Sequence, residues 1–114
     1  MTQWSVEYTR EALEDLRALD GNQRKQILKA IKKVSINPLP KTEGGYGNPL
    51  GNHIASKLSG YLKIKLLKIG LRVVYGIVRN DNVMRVIIIS VRDDGAVYRM
   101  AQIRIEKSDF GSAE

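Results

Sequence analysis

The sequence predicts an α+β domain: an N-terminal strand and a helical hairpin packed on a four-stranded antiparallel sheet, closed by a short C-terminal helix. Three observations carry this. Apolar residues recur with helical spacing between Ala12 and Val34. Three runs rich in Ile, Val, Leu and Tyr follow one another after Gly60. Turn residues, Gly70 and then Asn80 to Asn82, separate those runs by only a few positions, which favours a meander.

Each element has its own local signal. Trp4 to Tyr8, "WSVEY", alternates in polarity and reads as a strand. Thr9 is placed to cap a first helix whose inner stripe is Ala12, Leu13, Leu16 and Leu19. Gly21 then breaks the chain, and Asn22 is the expected cap of a second helix from Gln23 to Ile36. Ile27, Ala30, Ile31 and Val34 form its buried stripe, and "NPLP" ends it because proline cannot continue a helix. Lys41 to Asn52 holds four glycines and reads as a flexible connector. No Lys-Ser/Thr follows the glycines, so it is not a P-loop. Strands are expected at Tyr61–Leu67, Leu71–Arg79 and Val83–Val91, with a closing helix within Tyr98–Lys107. One domain is expected over residues 1–107, and residues 108–114 are expected to fray.

Composition narrows the chemistry. The chain has 114 residues, no Cys and a single His, His53. Disulfides, thiol nucleophiles, multi-His metal sites and His-based triads are thereby excluded. Lys, Arg, Tyr and carboxylates are left to do any chemistry. The N-terminal stretch is not a signal peptide, and the longest apolar run, "VIIISV", is too short to span a bilayer. A cytoplasmic protein with no membrane partner is expected.

The net charge is +7, which favours a polyanionic partner. Its distribution is uneven. Residues 1–40 carry seven basic and five acidic side chains, whereas residues 57–107 carry eleven and four. The sheet half thus holds the surplus. Side chains two apart on a strand share a face, so Lys63 and Lys65 are neighbours while Leu62, Ile64 and Leu66 turn the other way. The hairpin covers one face of the sheet and leaves the other free. Arg72, Arg92 and Tyr98 could join the two lysines at one end of that free face. Lysines on strands also serve to prevent edge-to-edge aggregation. The basic side of the second helix (Arg24, Lys25, Lys29, Lys32, Lys33) also reads as a solvated surface.

The segments "KLSGYLKIKL", "GLRVVYGIV" and "VIIISVRDDGAVY", in this order after the hairpin, resemble the RelE/ParE superfamily of bacterial toxins, and within it the RelE-type messenger-RNA interferases. The resemblance covers nearly the whole chain. Its motifs are short, and their order and spacing carry the specificity. It implies a toxin of a type II toxin–antitoxin system that cuts messenger RNA on the ribosome, and a cognate antitoxin as partner. The family's K-x-K lysines fall on Lys63 and Lys65, its central arginine on Arg72, its strand-closing arginine on Arg92, and its tyrosine on Tyr98. Lys57, Lys68 and Arg99 lie around this set and are assigned to RNA binding. Leu71 stands where the family carries tyrosine. Asp93 and Asp94 follow Arg92 where the RelE branch is more basic, and they either pair with that arginine or cap a turn with Gly95. The ParE branch, which poisons DNA gyrase, and a non-catalytic basic binding module are the alternatives.

RNA cleavage requires a base for the 2′-OH, an anion site for the phosphorane, and protonation of the departing 5′-oxygen. A lysine at its ordinary pKa of about 10.4 is a poor base at neutral pH. Cations crowded together disfavour one another's charged forms, so such a cluster prepares a lysine to accept a proton. Lys65 is the expected base, Lys63 its electrostatic partner, Arg72 the phosphate ligand and Tyr98 the stacking or orienting group. The resemblance assigns Arg92 to the leaving group. No metal or other cofactor is expected, and the expected product is a 2′,3′-cyclic phosphate.

Overall fold

A computed structural model of the chain describes residues 4–50, 60–91 and 94–108. It is an α+β fold with three helices and a five-stranded mixed sheet, one strand more than the sequence predicts. Strand β1 (Ser5–Tyr8) leads into α1 (Arg10–Ala18) and α2 (Gly21–Val34). Strands β2 (Asn48–Pro49), β3 (Leu62–Leu66), β4 (Leu71–Val78) and β5 (Val83–Ser90) follow, and then α3 (Asp94–Ser108). The sheet order is β1-β5-β4-β3-β2.

The hairpin forms where its periodicity places it. Thr9 Oγ1 accepts from the Ala12 amide at 3.1 Å and caps α1. The cap of α2 is Asp20, not Asn22. Its carboxylate accepts from the Gln23 amide at 2.8 Å, and the Gln23 side chain accepts in return from the Asp20 amide. This reciprocal box satisfies two orphan amides, which a cap two residues later would leave open. Arg24 folds back to donate to the Leu16, Arg17 and Leu19 carbonyls, closing the end of α1.

The meander is antiparallel, as its short turns require, with Lys65 opposite Arg72 and Val74 opposite Ile88. Gly70, at φ +67°, supplies the left-handed residue of the first turn. Strand β1 pairs with β5 in parallel, a departure from the all-antiparallel expectation. The chain between them runs through the helical hairpin and then β2 to β4, long enough for the connection that a parallel pair needs. Between Val74 and Tyr75 the register slips against β5, so Ile87 is an extra residue. Ile87 and Ile88 therefore both join the cluster on one face, while Val86 and Ile89 join the other.

Two apolar clusters result. The larger lies between hairpin and sheet, with Ala12, Ile27, Ile31, Leu62, Leu71, Val73, Tyr75 and Met84 buried in it. Leu71 fills this core, which accounts for an aliphatic residue there. The smaller joins Val74, Ile87 and Ile88 to Val97 and Ala101 of α3. The second face of the sheet is thus not free. Helix α3 is longer than predicted and crosses its middle, because the bulge gives it a patch of isoleucines to cover.

From Lys41 to Leu50 the glycine-bearing segment is braced rather than a flexible connector, and Gly51 and Asn52 lie outside the described residues. The Gly45 amide donates to Pro40 O, Tyr46 to Asn37 O, Gly47 to Leu39 O and Lys41 to Gly47 O, all within 3.1 Å. Glu43 holds Arg79 through two contacts of 2.8 Å, which keep the Glu43 carboxyl below its usual range. The Tyr75 hydroxyl reaches through to donate to Pro38 O at 2.8 Å. Helix α3 begins at Asp94, and the expected roles of Asp93 and Asp94 beside Arg92 lie outside the described residues.

Candidate active site

The site begins with the alternation of β3. Leu62 and Ile64 are buried against the hairpin, so Lys63 and Lys65 emerge on the face that α3 crosses. Register then sets their neighbours. Lys65, Arg72 and Ser90 form one row across three strands, and Lys63, Val74 and Ile88 form the next. Adjacent rows on one face are about 7 Å apart, two residues of rise. Lys65 is exposed, while Lys63 and Arg72 are half-buried, so the row opens toward solvent at β3.

Helix α3 supplies the fourth member. Val97 and Ala101 are fully buried on the second face of the sheet, and their neighbour Tyr98 then lies above β3. Lys63 Nζ donates to the Tyr98 hydroxyl at 3.0 Å and sits 5.7 Å from the centre of its ring. The pair spans 35 positions of sequence. Because the phenol oxygen accepts from Lys63, its own O–H remains able to donate.

Four of the five residues predicted from sequence therefore converge: Lys63, Lys65, Arg72 and Tyr98. Arg92 lies outside the described residues, as does Lys57. Of the other predicted RNA contacts, Lys68 is exposed in the turn between β3 and β4, past the Lys65–Arg72 pair, and Arg99 is exposed on α3 beside Tyr98. Sequence reasoning missed Ser90, a buried hydroxyl opposite Arg72. A polar residue ending the "VIII" run was the available signal.

The far side of α3 differs in character. There the Tyr61 ring lies over Gly76, where an added Cβ would come within 2.8 Å of it. Arg85 contacts Glu7 at 3.2 Å. Burial raises the Tyr61 phenol above its ordinary value, with Arg85 opposing. The helix thus separates a basic end of the sheet face from an aromatic one. Such a basic end, with a phenol at its wall, can bind a phosphodiester, stabilise added negative charge on it and transfer a proton.

No curated protein sequence matches the chain. Among solved structures it is similar to the isolated E. coli RelE toxin, at 26% identity and TM-score 0.64, over 90% of this chain and 98% of that one. It is also similar to an E. coli RelE mutant in complex with a RelBc antitoxin peptide, at 25% identity and TM-score 0.66, over 88% and 95% of the two chains. A Mycobacterium tuberculosis RelBE-type toxin–antitoxin complex shares the fold at 21% identity and TM-score 0.53, over 80% and 100%. Residues 6–98 match the family described as the ParE toxin of type II toxin–antitoxin systems, parDE. The chain thus belongs to the ParE toxin family, within the RelE/ParE superfamily of type II toxin–antitoxin toxins.

Proposed function

We propose that this toxin is a metal-independent, ribosome-dependent messenger-RNA endonuclease. The observation that carries the reading is the Lys63–Tyr98 contact, one row along the sheet from the facing Lys65 and Arg72. In this scheme Lys65 takes the proton from the 2′-OH as that oxygen attacks phosphorus. Arg72 holds two phosphate oxygens with its planar fork, and Tyr98 donates to the same group or orients the nucleotide. The P–O5′ bond breaks, a water protonates the departing 5′-oxygen, and a 2′,3′-cyclic phosphate remains. Arg92 supports the leaving group electrostatically. Lys57, Lys68 and Arg99 contact the RNA backbone. The ribosome supplies the positioning that a site without His needs.

A cognate antitoxin is the proposed protein partner, a reading supported by the RelE neighbours bound to antitoxin. Charge complementarity calls for an acidic segment with apolar anchors. Helix α2 offers exposed Lys25, Lys29, Lys32 and Lys33, with Leu28 exposed among them and Ile36 exposed just past its end.

A second reading, inhibition of DNA gyrase, is favoured by the match to the ParE model. It needs the fold but not the lysines. Induced expression in a bacterial host, with mapping of messenger-RNA 5′ ends, separates the two. Cuts within translated codons that vanish in the Lys63→Ala/Lys65→Ala variant support the endonuclease. Growth arrest with intact messages and DNA damage supports gyrase.

A further inference from the structure

Strand β1 covers β5 only from Val83 to Val86, and the Thr9 amide makes the last contact, to Val86 O at 3.1 Å. Beyond that point, at Ile87 and Ile89, the same edge of β5 has no strand beside it among the described residues. Two side chains take the strand's place. Asp15 of α1 accepts from the Ile89 amide at 3.0 Å, and Arg104 of α3 donates to Ile87 O at 2.9 Å. The two also grip each other, Nη1 to Oδ2 at 2.7 Å and Nη2 to Oδ1 at 3.1 Å. Arg104 is 16% and Asp15 18% exposed, so solvent screens the pair only partly.

This clamp ties three layers together: the hairpin through α1, the sheet through β5, and α3. The Tyr98 side chain projects from the same helix, six positions before Arg104, at the end over β3. Two attachments therefore stand out along α3, Arg104 at the β5 edge and the Val97–Ala101 seat in the middle. We propose that Asp15 and Arg104 are positioning residues of the site: by fixing α3 across the sheet they hold the Tyr98 hydroxyl on Lys63. Neither touches the RNA. The inference rests on the endonuclease reading for its effect on cleavage, but not for its effect on the Lys63–Tyr98 contact.

The test compares Arg104→Met, which keeps the stem and removes the fork, with Asp15→Asn, which keeps the shape and an acceptor for Ile89. Two measurements need no catalysis: the nuclear Overhauser contact between the Lys63 methylenes and the Tyr98 ring, and amide exchange along α3. Both variants are expected to weaken the contact and speed exchange in α3 while α1 and β4 stay protected. In message cleavage, a displaced Tyr98 costs about a hundredfold. Arg104→Met combined with Tyr98→Phe is then no worse than the more impaired single variant, since both disable one group. An unchanged contact in the folded variants overturns the proposal, and so do losses that multiply. If Arg104→Met does not fold, Asp15→Asn decides by the same criteria. If the wild-type toxin cuts no message, the endonuclease reading fails, and the contact and exchange data still decide whether the clamp positions Tyr98.

Discussion

Lys65 and Arg72 stand directly opposite each other on adjacent strands, two cations where a sheet ordinarily pairs opposite or neutral side chains. Like charges in facing positions weaken a sheet, so the arrangement works against the fold that carries it. Replacing Lys65 with Thr, a good strand former, is expected to move stability and activity in opposite directions. Thermal unfolding should show a gain of up to about 1 kcal/mol. Message cleavage, followed by primer extension, should fall by about 10²–10⁴ through loss of the base.

Tyr98→Phe separates packing from chemistry. The ring packs against the α3 cluster, and the hydroxyl meets Lys63. The variant should unfold within about 1 kcal/mol of wild type in urea. Its cleavage should nonetheless drop well below that of wild type. A variant as active as wild type would remove Tyr98 from the proposed mechanism.

Tyr75 predicts an alkaline limit to stability. Burial pushes its phenol well above the ordinary value, and the hydroxyl is committed to Pro38 O. A group whose folded pKa lies above its unfolded one stabilises fully below the unfolded value, and loses that contribution as pH rises toward the folded one. Stability should therefore fall as pH climbs past about 10, where an unfolded tyrosine ionises. Tyr8 and Tyr61 are also raised by burial and add to the fall. Tyr75→Phe should cost about 1–3 kcal/mol near neutrality, because Pro38 O loses its donor. Urea titrations of the two proteins across this pH range should show a shallower alkaline decline in the variant.

The braced glycine segment gives a steric prediction. A Cβ on Gly45 would run into the Leu39 carbonyl and come within 2.9 Å of Asn37 O, both backbone atoms that cannot swing aside. A Cβ on Gly47 would meet the Leu62 side chain and Pro38 O, the latter at 2.7 Å. Alanine at either position should destabilise by about 1–3 kcal/mol. Alanine at Gly21, where a Cβ meets nothing within 4 Å, is the matched control in calorimetry.

Most of the candidate site was legible because it depends on short-range rules. Period-two alternation puts Lys63 and Lys65 on one face, and the turn at Gly70 brings Arg72 opposite. The hairpin was legible from the stripe of Ile27, Ile31 and Val34. What escaped depends on distant partners or on a single residue. Nothing near Ser5 announces that it will lie beside Val83 in parallel. The extra residue at Ile87 hides in a run where every neighbour is equally apolar. Strand β2 is two residues long and contains a proline, too short for any period to register. The Asp15–Arg104 pair joins positions 89 apart, and neither residue is unusual where it stands.

That last distance has a meaning for the newborn chain. Translation runs at roughly 5–20 residues per second, so about 5–20 seconds separate the synthesis of Asp15 from that of Arg104. Lys63, Lys65 and Arg72 are made well before α3, the last of the described elements in chain order. Lys63 and Tyr98 are 35 positions apart, so for about 2–7 seconds the lysine exists without the tyrosine that faces it. On the endonuclease reading, a growing copy therefore lacks a complete site until α3, the last of the described elements, is laid across the sheet.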